Sequence, residues 1–155
     1  MQLKDMISAT GVSARIKAPT KEQLLKELSR RASTIVNLEE GVIYRALLDR
    51  EDLGSTGVGN GIALPHARLP GLKESVGMLF TLERPIDYLS IDEKPVDLIG
   101  ILFLPQDLKA EANVALSCLA RRLREPGVAD RLRASKSGEE LYRQLCGEAQ
   151  KPNKM

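Results

Sequence analysis

"VDLIGILFLP", Val96–Pro105, is the longest apolar run of the chain, and Asp97 is its one polar residue. A strand with one face in water alternates apolar and polar residues, whereas a strand covered on both faces is apolar nearly throughout. The length of the stretch and its branched side chains favour a strand over a helix. It therefore predicts a central strand with other elements packed on both faces of its sheet.

Further strand and helix patterns surround this central strand. In "SVGMLFTLE", Ser75–Glu83, every second residue from Val76 to Leu82 is apolar, which is typical of a strand. Helical patterns occupy residues 20–33, 37–51, 108–124, 128–135 and 140–146. The alternation of the two predicts an α/β fold, a single layered domain with a mixed central β-sheet flanked by α-helices. We expect that domain to span residues 1–147, with a polar, frayed tail at 148–155.

The two N-terminal helix patterns carry recognisable ends and core faces. Thr20 and Gln23 have the spacing of a capping box for the first helix, and Asn37 and Glu40 offer caps for the second. We expect the second helix to turn one apolar face to the core, formed by Val42, Ile43, Ala46 and Leu47. In the later helix of residues 108–124, the apolar face runs from Ala112 to Leu123.

Composition excludes several classes of protein. The 155 residues carry a net charge of +2 and 3% aromatics, so nothing favours a nucleic-acid partner. No apolar run approaches the roughly 18 residues of a membrane span, so we expect no membrane insertion. Cys118 and Cys146 match no redox or metal spacing and do not form a disulfide framework. We therefore expect a cytoplasmic protein with no cofactor.

"GSTGVGNGIALPHARLPG", Gly54–Gly71, begins with a glycine-rich loop. Glycines permit sharp turns, and successive N–H groups in such turns can converge on an anion. The candidate phosphate-binding residues are Ser55, Thr56, Gly57, Gly59, Asn60 and Gly61. The alternative is a tight, crowded connection without a ligand. The loop lacks the lysine of a P-loop, the spacing of a dinucleotide-binding fingerprint and the G-x-S-x-G pattern of a nucleophile elbow.

His66 is the single histidine of the chain, and it follows this loop directly after Pro65. An isolated histidine is ordinarily a surface residue or a satisfied core residue. With one histidine and two distant cysteines, the chain offers no zinc site. It also offers no serine beside His66 for a triad. The remaining chemistry is nucleophilic, because a neutral imidazole has a lone pair that can take a phosphoryl group as a covalent intermediate.

The segment Gly54–Gly71 closely resembles the active-site segment of the fructose/mannitol type of phosphotransferase-system IIA proteins, with the nitrogen-regulatory branch nearest. The resemblance continues through Val76–Pro105 and Leu119–Leu145, so it covers nearly the whole chain. It implies that His66 accepts a phosphoryl group from a small phosphohistidine carrier, HPr or its nitrogen-branch paralogue. It also implies that Arg50 lies beside that group. From the residues alone, Arg50 would be interpreted as a solvated charge at a helix end.

The chain departs from that pattern at one position. Many relatives carry a second histidine early in the helix after "LFLP", and alignment on Leu116 puts Ala112 there, with Asn113 next. We expect the positive end of this helix, Arg50 and the glycine loop to stabilise the phosphoryl group instead.

The resemblance implies three possible functions. The first is a freestanding regulatory phosphoryl acceptor that acts through protein contacts, since relatives regulate potassium transport and nitrogen or stress signalling, with transport or sensor-kinase components as targets. The second is a sugar-specific IIA protein that passes its phosphoryl group to a IIB partner. The third is a homologue that binds partners without phosphorylation.

Overall fold

The computed structural model describes residues 2–107 and 109–147, so the predicted tail at 148–155 lies outside the described residues. A short 3₁₀ turn, Leu3–Asp5, precedes the first strand. The strands are β1 (Ile7–Ile16), β2 (Gly57–Gly59), β3 (Ile62–Ala63), β4 (His66–Leu69), β5 (Val76–Ile86) and β6 (Val96–Pro105). The helices are α1 (Lys21–Val36), α2 (Glu40–Asp52), α3 (Lys109–Arg124), α4 (Val128–Ala134) and α5 (Gly138–Cys146).

The six strands form one mixed sheet in the order β1-β5-β6-β3-β2, with β4 also paired to β6. β5 and β6 run antiparallel, while β1 is parallel to β5 and both β3 and β4 are parallel to β6. β6 is therefore the central strand that the apolar run predicted. Its C-terminal half pairs with β4, where His66 lies opposite Leu102.

Two hydrophobic cores cover the two faces of this sheet. β6 contributes to both, because Ile99, Ile101 and Phe103 pack in the core that contains α1 and α2. Leu98, Leu102 and Leu104 pack in the core that contains α3, α4 and α5. This alternation within a strand that is apolar except for Asp97 confirms the predicted α/β class, a mixed sheet flanked by helices.

Sequence signals locate most helices correctly. The side chain of Thr20 accepts a hydrogen bond from the backbone N–H of Gln23 at 3.1 Å, as the predicted cap requires. Asn37, in contrast, was wrong as a cap for α2. It ends α1 with a left-handed backbone (φ 60°), a conformation that asparagine tolerates better than most residues. α2 begins at Glu40 without a side-chain cap.

The predicted core face of α2 is also partly wrong. Ile43 and Leu47 are buried, whereas 41% of the Val42 surface is exposed. β1, which has no prediction, occupies one edge of the sheet. Its pairing with β5 shifts register twice, so its buried residues do not alternate regularly. An edge strand with this irregular burial lacks the period of two by which strands are recognised.

Candidate functional site

His66 begins β4, and the backbone around it fixes its imidazole. The carbonyl of Pro65 accepts from the backbone N–H of Leu102 at 3.1 Å, which joins the start of β4 to the central strand. The ring atom Nδ1 lies 2.9 Å from the carbonyl oxygen of Leu64. Because a carbonyl oxygen only accepts hydrogen bonds, Nδ1 carries the proton in this geometry. The lone pair of the neutral ring therefore lies on Nε2.

Arg50 lies against this lone pair. Its Nε atom is 3.3 Å from Nε2 of His66, and its Nη1 donates to the carbonyl of Gly54 at 2.8 Å. Arg50 is in the last turn of α2, so the helix delivers a half-buried guanidinium directly to the imidazole. The structure thus brings together two residues that lie sixteen positions apart in the sequence.

Within the glycine-rich loop, Ser55 and Thr56 line the same cavity as His66. The N–H of Thr56 donates to the carboxylate of Glu51 at 3.1 Å, and the N–H of Gly57 donates to the hydroxyl of Ser55 at 3.1 Å. Asn60 donates its N–H to Asp92 at 3.2 Å. Three N–H groups of the predicted anion-binding loop therefore already have protein partners.

The second half of the loop is a β-hairpin, β2 and β3, closed by Asn60 and Gly61. Both residues have positive φ, 58° and 78°, as a type I′ turn demands, and Asn-Gly is the preferred pair for that turn. Arg133 donates to the carbonyl of Asn60 at 2.6 Å and fills the space where a side chain at Gly61 would lie. Gly59, Asn60 and Gly61 thus form a tight connection. The Asn-Gly pair was the signal that could have revealed it.

A buried carboxylate, Glu51, ties the site to the rest of the protein. It accepts from Lys21 at 2.9 Å, from the hydroxyl of Tyr88 at 3.0 Å, and from both the N–H and the hydroxyl of Thr56. Only 3% of the side-chain surface of Glu51 is exposed. Burial, and then the negative charge of Glu51, raise the pKa of Tyr88 far above its ordinary value, so its hydroxyl remains a donor.

No feature of the sequence points to this cluster. Lys21 lies thirty positions before Glu51, and Tyr88 lies 37 positions after it. Lys21 also stacks over the Tyr88 ring at 4.4 Å. The cluster holds the end of α2, where Arg50 lies, against the start of the loop at Thr56.

The cavity beside His66 has a volume of about 610 Å³ and a cationic lining. Arg50, Arg121 and Arg124 line it, and no described carboxylate does. Both Arg121 and Arg124 lie on α3 and were missed by the sequence analysis. Their spacing of three from one another puts them on one face of the helix, but only the tertiary structure shows that this face meets His66.

A second cavity of about 520 Å³ also has His66 in its lining. Ala112 and Asn113 line it together with Arg50. The position of the missing second histidine therefore does face the site, as the alignment on Leu116 requires. Asn113 lines the same cavity as Ala112, although adjacent residues of a helix point about 100° apart.

The described residues contain neither a metal-ligand cluster nor a helix suited to a membrane. Residues 2–107 and 109–147 contain no group of three or more His, Cys, Asp or Glu side chains that could hold a metal ion. Within those ranges, none of the helices has the length and apolar character to cross a membrane.

Comparison with known proteins places these features in a family context. Residues 5–146 match the family model described as phosphoenolpyruvate-dependent sugar phosphotransferase system, EIIA 2. A nitrogen regulatory protein of Bradyrhizobium diazoefficiens is 37% identical over 146 residues, which are 94% of this chain and 95% of the relative.

Solved structures agree with the sequence comparison. The crystal structure of the nitrogen regulatory protein IIA-Ntr from Neisseria meningitidis superposes with a TM-score of 0.86 at 29% identity, and the match covers 92% of this chain and 98% of that one. The IIA component in a complex with phosphorylated enzyme IIB for mannitol, from Escherichia coli, gives a TM-score of 0.72. At 18% identity, over 92% of this chain and 100% of that one, this second likeness shows the fold alone.

Proposed function

Since the chain belongs to the EIIA 2 family of the phosphoenolpyruvate-dependent sugar phosphotransferase system, we propose that it is a cytoplasmic regulatory protein phosphorylated on Nε2 of His66. The donor is a small phosphohistidine carrier, HPr or its nitrogen-branch paralogue. The phosphorylated and free forms then act on target proteins through surface contacts. Relatives with high coverage carry the name nitrogen regulatory protein, which supports the regulatory branch.

One observation carries the proposal: Nδ1 of His66 is held by the carbonyl of Leu64 while Arg50 lies at Nε2. This arrangement selects one tautomer and leaves one nucleophilic nitrogen. The lone pair of Nε2 attacks the phosphorus of the carrier's phosphohistidine. The bond between phosphorus and the carrier's ring nitrogen breaks, and its electron pair returns to that ring. The proton on Nδ1 stays in place throughout.

Arg50 stabilises the charge of the transferring group. Its guanidinium presents several N–H donors in a planar fork that fits phosphoryl oxygens. In the free protein, Nε faces the nucleophile and Nη1 is anchored on Gly54. A short rotation of the side chain moves Nε from the ring to the phosphoryl oxygens, and the anchor on Gly54 keeps the guanidinium close. Ser55 adds a hydroxyl at the wall of the same cavity.

Incubation with phosphorylated carrier tests the proposal. We expect one phosphate per chain by intact mass, labile in acid and stable in base. The His66→Ala variant should take none, and its melting temperature should stay close to that of the wild type because the ring is half-buried. As a control, Arg84→Ala changes a residue of β5 that lines neither cavity beside His66 and should still be labelled.

Other results of this experiment would overturn the acceptor assignment or support one of the alternative functions. Labelling of the His66→Ala variant would overturn the acceptor assignment. Absence of label from the wild type, with carrier binding intact, would indicate a homologue that binds without phosphorylation. Rapid onward transfer from the labelled chain to a sugar-specific IIB protein would indicate a transport role instead of a regulatory one.

A further inference from the structure

A third cavity, the Arg15 cavity, lies near the start of the central strand and away from His66. It has a volume of about 360 Å³, and its charged lining residues are Arg15, Glu83, Asp97 and Arg133. Along β6, Asp97 precedes Leu102, the residue opposite His66, by about 17 Å. None of the described residues lines both this cavity and a cavity beside His66. The Arg15 cavity is therefore a separate candidate site.

The backbone at Arg15 is strained. In β1, residues 14 and 15 both lie opposite Thr81 of β5, so the strand bulges there. Arg15 has a left-handed backbone (φ 59°), and its N–H donates to the hydroxyl of Thr81 at 2.8 Å. Glycine or asparagine would adopt this conformation at a lower cost. Bulges redirect side chains, and strained residues concentrate at functional sites, so an arginine at this position points to a binding role.

Two of the four charges in this cavity have no protein partner. The guanidinium of Arg15 and the carboxylate of Glu83 make no hydrogen bond or ion pair with any residue that the structure describes. The other two charges neutralise one another, because Nε of Arg133 donates to Asp97 at 2.9 Å. A ligand that satisfied the free pair would carry both an anionic and a cationic group.

We propose that the Arg15 cavity binds a free α-amino acid. Arg15 donates two N–H groups to the α-carboxylate, and Glu83 accepts from the α-ammonium group. The volume lies near the small end of ligand pockets, about 300–1,000 Å³, which suits a molecule of this size. Both side chains belong to exposed residues, where each charge pair contributes little, so we expect a dissociation constant of about 1 mM.

Arg133 connects this cavity to the chain that leads to His66. Its Nη2 donates to the carbonyl of Asn60 at 2.6 Å, in the turn between β2 and β3. β3 then leads to Leu64, whose carbonyl holds Nδ1 of His66. Because Asp97 lines the same cavity, the ammonium group of a bound amino acid competes with Arg133 for its carboxylate. Occupancy therefore shifts the turn and changes the rate of phosphoryl transfer, a consequence that rests on the proposed function.

Thermal unfolding of the full chain tests the site with the common L-amino acids, each supplied alone at about 5 mM. We expect at least one of them to raise the melting temperature by about 2–4 °C, the shift for a ligand at about five times its dissociation constant. The N-acetyl and methyl ester derivatives of that amino acid, which lack the ammonium and the carboxylate, should give no shift. Absence of a shift with every amino acid would overturn the proposal.

Arg15→Gly removes the guanidinium and relieves the strained φ in one substitution. Its melting temperature without ligand should stay close to or above that of the wild type, whereas the amino acid should no longer raise it. Glu83→Gln should weaken binding at least about threefold. The control Arg84→Ala removes an adjacent positive charge that lines a different cavity, and it should bind as the wild type does. Undiminished binding by either variant of the Arg15 cavity would overturn the assignment.

The His66→Ala variant separates this inference from the proposed function. It should bind the amino acid as the wild type does, whether or not His66 accepts a phosphoryl group, and loss of binding would instead place the ligand at His66. In the wild type, saturating amino acid should change the rate of phosphoryl transfer by about twofold or more, and in Arg15→Gly it should change nothing. An unchanged rate in a wild type that binds the amino acid and takes phosphate would overturn the coupling through Arg133.

Discussion

The two walls of the His66 cavity differ in how many hydrogen bonds hold their side chains. The α2 wall, formed by Arg50 and Glu51 with the loop they contact, is held by a dense set of hydrogen bonds. The α3 wall, within residues 112–124, presents Arg121 and Arg124 to the larger cavity, and neither has a partner among the described residues. It presents Ala112 to the second cavity.

In the proposed function, the α2 wall serves phosphoryl transfer and the α3 wall serves contact with partner proteins. Groups that stabilise a transferring phosphoryl must already be in position, because a preorganised charge costs little reorganisation during the reaction. Groups that meet a partner protein gain from being free until the partner arrives. Variants in the α2 wall should therefore have larger effects on transfer than variants near Ala112, and the α2 wall should also contribute more to stability.

Arg50→Lys should have the largest effect on phosphoryl transfer. Lysine keeps the charge but loses the fork that contacts His66 and Gly54 together. Charge-assisted hydrogen bonds contribute about 1.5–3 kcal/mol, so we expect transfer to slow roughly 10- to 100-fold. Single-turnover kinetics with phosphorylated carrier measures the rate. Arg45→Lys, on the exposed face of the same helix, should change nothing, and equal rates for the two variants would remove Arg50 from the site.

Glu51→Gln should lower the stability of the protein by breaking the buried contacts of the α2 wall. The substitution leaves Lys21 beside a neutral amide and removes an acceptor from Tyr88 and Thr56. Breaking a buried ion pair costs about 3–5 kcal/mol, and the partial exposure of Lys21 places the expected loss near the lower end, about 3 kcal/mol. Thermal unfolding measures it, and transfer should slow as well because the loop loses its anchor.

Two control variants test whether the loss of stability comes from the buried Lys21–Glu51 pair. Glu22→Gln removes an exposed partner of Lys26 in α1 and should leave the melting temperature unchanged. Adding Lys21→Met to Glu51→Gln should restore part of the stability, because the uncompensated charge is gone. A large loss of stability with normal transfer would show that the cluster supports the fold without positioning the site.

Ala112→His should have the smallest effect, a change of a few-fold in transfer rate or in the lifetime of phospho-His66. The side chain lines the cavity that adjoins His66, so an imidazole there reaches the phosphoryl group. The effect should vary with pH around the imidazole pKa of about 6.5, stronger below it, where the added ring is cationic. Ala115→His, on a buried position of the same helix, tests general disruption. Indifference of both quantities between about pH 6 and 8 would show that this position carries no role in the transfer.

Much of the fold could be predicted because it depends on local patterns. The nearly continuous apolar run of β6, the alternation in β5 and the apolar stripe of α3 are local patterns that report burial directly. β1 could not be predicted in this way, since register shifts at the sheet edge break its alternation. Asn37 was assigned to the wrong helix because an asparagine suits both a helix start and a left-handed helix end.

The site residues likewise separate into those that a local sequence pattern indicates and those that only contacts between distant segments bring together. The sequence singled out His66 and the loop because they are adjacent, and Arg50 became a candidate through the family resemblance. The cluster of Lys21, Glu51 and Tyr88 depends on contacts between distant segments, so no local pattern contains it. Asn60 and Gly61 were read as candidates for binding an anion, although the pair is also the strongest short signal for a hairpin.

The proposed function depends on Nε2 of His66 as the phosphoryl acceptor, with the proton held on Nδ1 by the carbonyl of Leu64. Nitrogen-15 NMR of the His66 ring, before and after incubation with phosphorylated carrier, tests it most directly. We expect a free protein with the proton on Nδ1 and a phosphorylated protein with a nitrogen–phosphorus coupling at Nε2 alone. Coupling at Nδ1, or an unchanged His66 ring in a chain that has gained a phosphate, would contradict it.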